Sequence, residues 1–179
     1  MENQTNDTTN RRVVSGMFSD RESAERAYNA LESRGYSKDD VNVIMSDETR
    51  KKHFKDSDLK TDLGNKAMEG AGKGGAIGGT LGAIIGAVAA IGTSLLIPGL
   101  GLIIAGPLAA GLAGAGAGSV AGGLIGALVG SGIPKEHAEV YEKGIKDGRI
   151  VMGVNSRSDE DAQYIENEWK ANRGEQIYR

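Results

Sequence analysis

"RVVSGMFSDRESAERAYNALESRGYSKDDVNVIMS", residues 12 to 46, is the stretch that decides the fold. It opens on "RVVSGMF" at 12 to 18, a β-prone run. "SDRE" at 19 to 22 then reads as a capping box, in which Ser19 caps a helix and Glu22 reaches back to its start. Ala24, Ala27, Tyr28 and Leu31 recur at one-turn intervals on a single apolar face, and Gly35 supplies the stop. "VNVIMS", residues 41 to 46, is a second strand. The spacing predicts a β-α-β unit, long enough for a crossover to a parallel neighbour.

The far end of the chain repeats this plan. "RIVMGVNS" at 149 to 156 aligns with "RVVSGMFS" at 12 to 19, matching Arg149 with Arg12, Val151 with Val14, Gly153 with Gly16 and Ser156 with Ser19. With one residue inserted, Ala162, Ile165 and Trp169 fall opposite Ala24, Ala27 and Leu31, and "QIY" at 176 to 178 takes the place of the second strand. Ahead of it, "PKEHAEVYEKGIKDG" at 134 to 148 reads as a helix with Pro134 in its first turn, Ala138, Tyr141 and Ile145 on one face, and Gly148 as its stop. Two such units predict an α+β fold, a ferredoxin-like β-α-β / β-α-β sandwich with helices on one face of a four-stranded sheet.

The halves are interrupted by a long insertion. The expected organisation is a disordered N-terminus at 1–11, a first β-α-β unit at 12–46, and a polar linker or helix at 47–69. A glycine-zipper helical hairpin follows at 70–133 with its turn at about 97–107, and 134–179 completes the α+β domain. From Gly74 to Pro134 the chain carries no charge. Glycine recurs at every fourth position in two series: Gly70, Gly74, Gly78, Gly82 and Gly86, then Gly114, Gly118, Gly122, Gly126 and Gly130. Residues four apart share a helical face, so each series bares a strip of backbone that a second helix can approach. Each glycine costs about 1 kcal/mol relative to alanine in a helix, so the stripes imply a packing partner. Small-residue repeats of this kind pack membrane helices.

The segments 74 to 97 and 108 to 133 exceed the roughly 20 residues needed to span a hydrocarbon core, and lysines and arginines flank the insertion on both sides. These features point to a hairpin in the bacterial inner membrane with both termini cytoplasmic, and Arg50, Lys51, Lys52 and Lys55 are placed for lipid-headgroup contacts. The alternative is a cytoplasmic protein whose hairpin is buried by self-association or against the sheet.

Composition narrows the chemistry. The net charge of −3, with both signs interspersed, argues against a nucleic-acid partner, and the absence of cysteine removes disulfides and thiolate chemistry. "MENQTNDTTNRR" lacks the apolar run of a signal peptide. "GAGKGG" at 70 to 75 imitates a dinucleotide loop, but no strand precedes it, and Gly74 and Ala67 stand where a phosphate loop needs Ser or Thr and Gly. His53 and His137 have no partners at ligand spacing and read as solvated. Ser19 and Ser158 read as helix caps, the acids at 158 to 168 suit a helix N-terminus, and Trp169 reads as core. No catalytic, metal or cofactor site is expected.

The first unit through "ETRKKHF", the block "IPGLGLIIAGPLAAGLAGAGAGSVAGGLIGALVGSGIPKEHAEVYEKGIKDGRIVMGV" and the ending "EQIY" resemble a group of bacterial proteins. Their first unit is similar to the small heat-induced and general-stress protein domain. The resemblance implies a role in bacterial stress or envelope physiology and brings no catalytic residues with it. The expectation is therefore a non-enzymatic, stress-related protein: a ferredoxin-like domain tethered to the membrane by a self-packing glycine-zipper hairpin, with homo-oligomers forming through the stripes. The second expectation is a soluble oligomeric ligand-binding or regulatory module whose hairpin mediates assembly.

Overall fold

A computed structural model describes residues 12–53, 95–97, 101–109 and 123–179. The elements run β1 (Val13–Phe18), α1 (Arg21–Ser33), a 3-10 turn (Lys38–Asp40), β2 (Val41–Ser46), α2 (Asp47–His53), β3 (Leu95–Ile97) and β4 (Leu102–Ala105). After these come α3 (Gly123–Gly130), α4 (Lys135–Lys146), β5 (Ile150–Asn155), α5 (Asp159–Ala171) and β6 (Glu175–Tyr178). The fold is α+β, with one antiparallel sheet of six strands in the order β3-β4-β2-β5-β1-β6.

The β1-α1-β2 unit does not make the parallel pair expected of a crossover. β5 lies between β1 and β2 and pairs antiparallel with both, Ser15 and Asn42 each standing opposite Gly153. The crossover helix spans the gap that the later strand fills. Strands β1, β2 and β5 are buried on both faces, which explains their near-continuous apolar content.

On one face, α1 and α5 lie over the sheet. Ala24, Ala27, Tyr28 and Leu31 of α1 and Ala162, Ile165 and Trp169 of α5 are all buried there, as their helical spacing predicts. Gly16 in β1 makes room for Trp169, whose ring carbon would lie 3.0 Å from a Cβ added at that position. The indole packs edge-on against Phe18 at 5.6 Å and donates from Nε1 to the Ala27 carbonyl at 3.2 Å.

The two halves match more closely than their letters do, but in a different register. The cap of α1 is Asp20, not Ser19: its carboxylate accepts from Ser23 N–H, while the Ser19 hydroxyl donates to Asp20. Ser158 caps α5 in the same way, accepting from Asp161 N–H. Both helices have 13 residues, and both end with a left-handed residue, Gly35 (φ 84) and Arg173 (φ 62). Tyr36 N–H then bonds the Leu31 carbonyl and Gly174 N–H the Trp169 carbonyl, the same helix-ending turn in each. Asp20 is thus the counterpart of Ser158 with nothing inserted between strand and helix. Matching Val14 with Val151 and Gly16 with Gly153 fails for that reason, because Val14 faces α1 and α5 whereas Val151 faces the other side of the sheet.

That second face is also covered, which a four-stranded sandwich with helices on one side did not anticipate. α4 lies on it through Ala138, Tyr141 and Ile145, and α3 through Leu124 and Leu128. Gly144 lets the α4 backbone come against Met17. Of segment 97–107, expected as the turn of a helical hairpin, Ile97 instead ends β3 and Leu102–Ala105 form β4. β4 pairs with β2, Ile104 opposite Ile44, and β3 pairs with β4 at the sheet edge. The branched run Leu102–Ala105 is fully buried, and that burial outweighs the local Gly-Pro punctuation. Gly106 (φ 100) then turns the chain hard over β2, where any Cβ would strike the Val41 carbonyl.

Candidate functional site

The sequence of α3, "GLIGALVG", separates into two faces. Leu124 and Leu128, one turn apart, are buried against the sheet, whereas Gly126 and Gly130, also one turn apart, are exposed. Among the described residues, no atom lies within 4 Å of a Cβ built on either glycine. The end of the second stripe is therefore carried by a helix that uses its leucines for the core and leaves its glycine strip open. Val129 beside it is 44% exposed.

Under this helix the sheet offers a row of small and polar residues. Register places Ser15, Gly153 and Asn42 side by side across β1, β5 and β2. Ser15 is buried and within 3.0 Å of the Tyr141 hydroxyl, which donates to the Gln176 carbonyl at 2.7 Å. Burial pushes the Tyr141 phenol up to about 12, so it stays protonated and holds β6 against α4. Asn42 is half-buried, and its side-chain oxygen accepts from Leu108 N–H at 2.7 Å, fixing the chain that leaves β4.

Gly153 contributes no side chain to this row, and α3 does not close onto the sheet there. A cavity of about 500 Å³ remains, open to solvent, between Gly126 and Leu128 on one side and Asn42, Gly153 and Val151 on the other. None of the described residues that line it is charged.

Gly70, Gly74, Gly78, Gly82, Gly86, Gly114, Gly118, Gly122 and Lys55 lie outside the described residues. Arg50, Lys51 and Lys52 fall on α2, but two of the three face a carboxylate on the same helix. Asp47 pairs with Arg50 at 3.1 Å and Lys51 at 2.6 Å, and the Lys51 hydrogen bond leads in holding its carboxyl below the ordinary value. Lys52 is exposed. His53 is half-buried and gives its carbonyl to Arg21 at 2.7 Å. His137 is not simply solvated: its ring lies 5.1 Å from that of Tyr178 and 6.2 Å from that of Tyr141.

Comparison with protein-family models, with curated proteins and with solved structures finds no significant match. The site therefore rests on its own geometry. Among the described residues, no group of three or more His, Asp or Glu side chains is placed to hold a metal ion, and no helix is long and apolar enough to cross a membrane.

The residues that sequence reasoning missed are Asn42, Gly153 and Asn155. Alternation along β2 and β5 would have placed them on the face opposite Val41, Val43, Met152 and Val154. That they form one floor depends on β5 entering between β1 and β2.

Proposed function

We propose that the protein is a non-enzymatic ligand-binding or regulatory module built on a ferredoxin-like core, with its glycine-rich insert folded onto the sheet and serving for assembly. The order β6-β1-β5-β2, with α1 and α5 together on one face, supports the ferredoxin-like reading of the core. One observation carries the functional reading: the middle of the insert is in the sheet. β4 pairs with β2 along Val43–Ser46, and Leu124 and Leu128 beyond it belong to the same core as Ile44 and Val151.

A hairpin with 97–107 on the far side of a membrane would separate β4 from β2 by a hydrocarbon core about 30 Å thick, whereas paired strands lie about 4.8 Å apart. The resemblance to the bacterial general-stress domain adds a setting, a role in bacterial stress or envelope physiology.

Fractionation tests this reading. The chain, expressed in a bacterium, is expected in the supernatant after alkaline carbonate treatment, and its purified form is expected to stay dispersed, as an oligomer, without detergent. Retention in the carbonate-washed pellet would restore the membrane tether, with Lys52 and its neighbours as headgroup contacts.

A further inference from the structure

The cavity under α3 has a chemistry specific enough to name what it takes. Its volume of about 500 Å³ lies within the range of small-molecule sites. Its described walls are mostly apolar side chains and bare backbone, with Leu128, Ile133 and Val151 as the larger groups; the polar side chains are Asn42, Asn155 and Ser131, whose hydroxyl donates to the Ala127 carbonyl of α3. An ionised carboxylate or phosphate placed there would lose its water and find no described cation to replace it, an expensive exchange.

The polar group best placed on its floor is Asn42. The bond from Leu108 N–H settles which way the carboxamide is turned: the oxygen is taken, so the NH2 is what the side chain offers. Asn155 stands exposed at the margin. The glycines add a separate argument. Gly126 and Gly130 each cost about 1 kcal/mol relative to alanine in a helix, yet among the described residues no atom lies within 4 Å of a Cβ at either, so no described neighbour requires their absence of side chain. A molecule lying along that strip would.

We infer that the cavity between α3 and the β2-β5 floor binds a neutral, elongated, largely apolar molecule with a carbonyl acceptor, the chemistry of a medium-length acyl ester. The acyl chain lies along Gly126 and Gly130 and the carbonyl accepts from the Asn42 NH2. This rests on the insert being folded onto the sheet and names the ligand class for that module.

The test uses the full chain, stripped of lipid by organic extraction and refolded, with its melting temperature checked. N-phenyl-1-naphthylamine, a neutral apolar fluorophore, is expected to bind saturably and to be displaced by methyl decanoate, with decanoate anion at least about tenfold weaker. Asn42→Asp keeps an acceptor for Leu108 N–H but loses the donor. It should weaken methyl decanoate about tenfold, the scale of one buried hydrogen bond, while leaving the carbonyl-free fluorophore nearly unchanged. Gly126→Leu fills the strip and should weaken both.

Absence of saturable binding, equal affinity for ester and anion, or affinities indifferent to both variants would overturn the proposal. Its failure is distinguishable from failure of the module itself. A detergent-free protein with protected β4 amides that binds no ester removes only the ligand; a chain found in the carbonate-washed pellet with unprotected β4 amides removes both.

Discussion

The two faces of the sheet are covered by helices of opposite construction. On one, α1 and α5 are 13-residue amphipathic helices with matching caps and matching ends, and they bury Tyr28, Leu31 and Trp169 against Phe18 and Val14. On the other, α4 is of the same kind, but α3 is an eight-residue helix, half its surface glycine and alanine, held by Leu124 and Leu128. The first face is filled by large side chains meeting in complementary shapes, down to the glycine cut out for Trp169. The second is packed in the same way under α4, but α3 is held through Leu124 and Leu128 and leaves space beside it. A close-packed face serves stability, and a face that stops short of close packing is where this protein has room to bind something.

The most severe way to break the comparison is to empty each face in turn. Trp169→Ala should cost about 3 to 5 kcal/mol, and Leu128→Ala about 2 to 5 kcal/mol, read from urea unfolding midpoints. An unchanged midpoint for Leu128→Ala would mean that α3 is not part of the core. Equality of the two long helices is tested next. Asp20→Ala and Ser158→Ala each remove one cap bond and should each cost about 1 kcal/mol; a large difference between them would deny their equivalence.

Gly126→Ala runs the other way. With no described atom within 4 Å of its Cβ position, the substitution should raise stability by up to about 1 kcal/mol in thermal melts without ligand, and a loss would show that the strip is already packed. The smallest effect is a pH dependence. The Asp161 carboxyl is held below its ordinary 3.8, chiefly by the hydrogen bond from the Arg34 guanidinium, with the Tyr36 hydroxyl also donating to it. A lowered carboxyl contributes stability that is complete above its unfolded value and is lost as pH falls through the folded one. Asp161→Asn should therefore flatten the stability profile below about pH 4 and leave its shape above pH 5 unchanged, as followed by circular dichroism.

The elements of the first face were legible in the sequence because their signals are local. Ala24, Ala27, Tyr28 and Leu31 declare a helical face, and Gly35 declares its end, whatever the rest of the chain does. Strand order was not legible, since the entry of β5 between β1 and β2 rests on pairings over 100 residues apart. The alignment of the halves went astray on four matching letters. Only the alternation of strand faces, together with the caps at Asp20 and Ser158, sets the register.

In the insert, glycine spacing announced a helix-packing device, and part of that pattern does lie on a helix at Gly126 and Gly130. The short run "LIIA" is β-prone, but nothing in it says that β2 is its partner. The cavity was the least legible feature, because Asn42 and Gly153 become neighbours only through the sheet.

Within the insert, β4 and α3 belong to the core of this domain. Hydrogen exchange on the detergent-free chain tests it most directly, read at the amides of Ile103, Ile104 and Ala105 beside those of Val151 and Met152 in β5. The account predicts protection in β4 of the same order as in β5, both lost together on global unfolding. Exchange of the β4 amides at unprotected rates while β5 remains protected would contradict it.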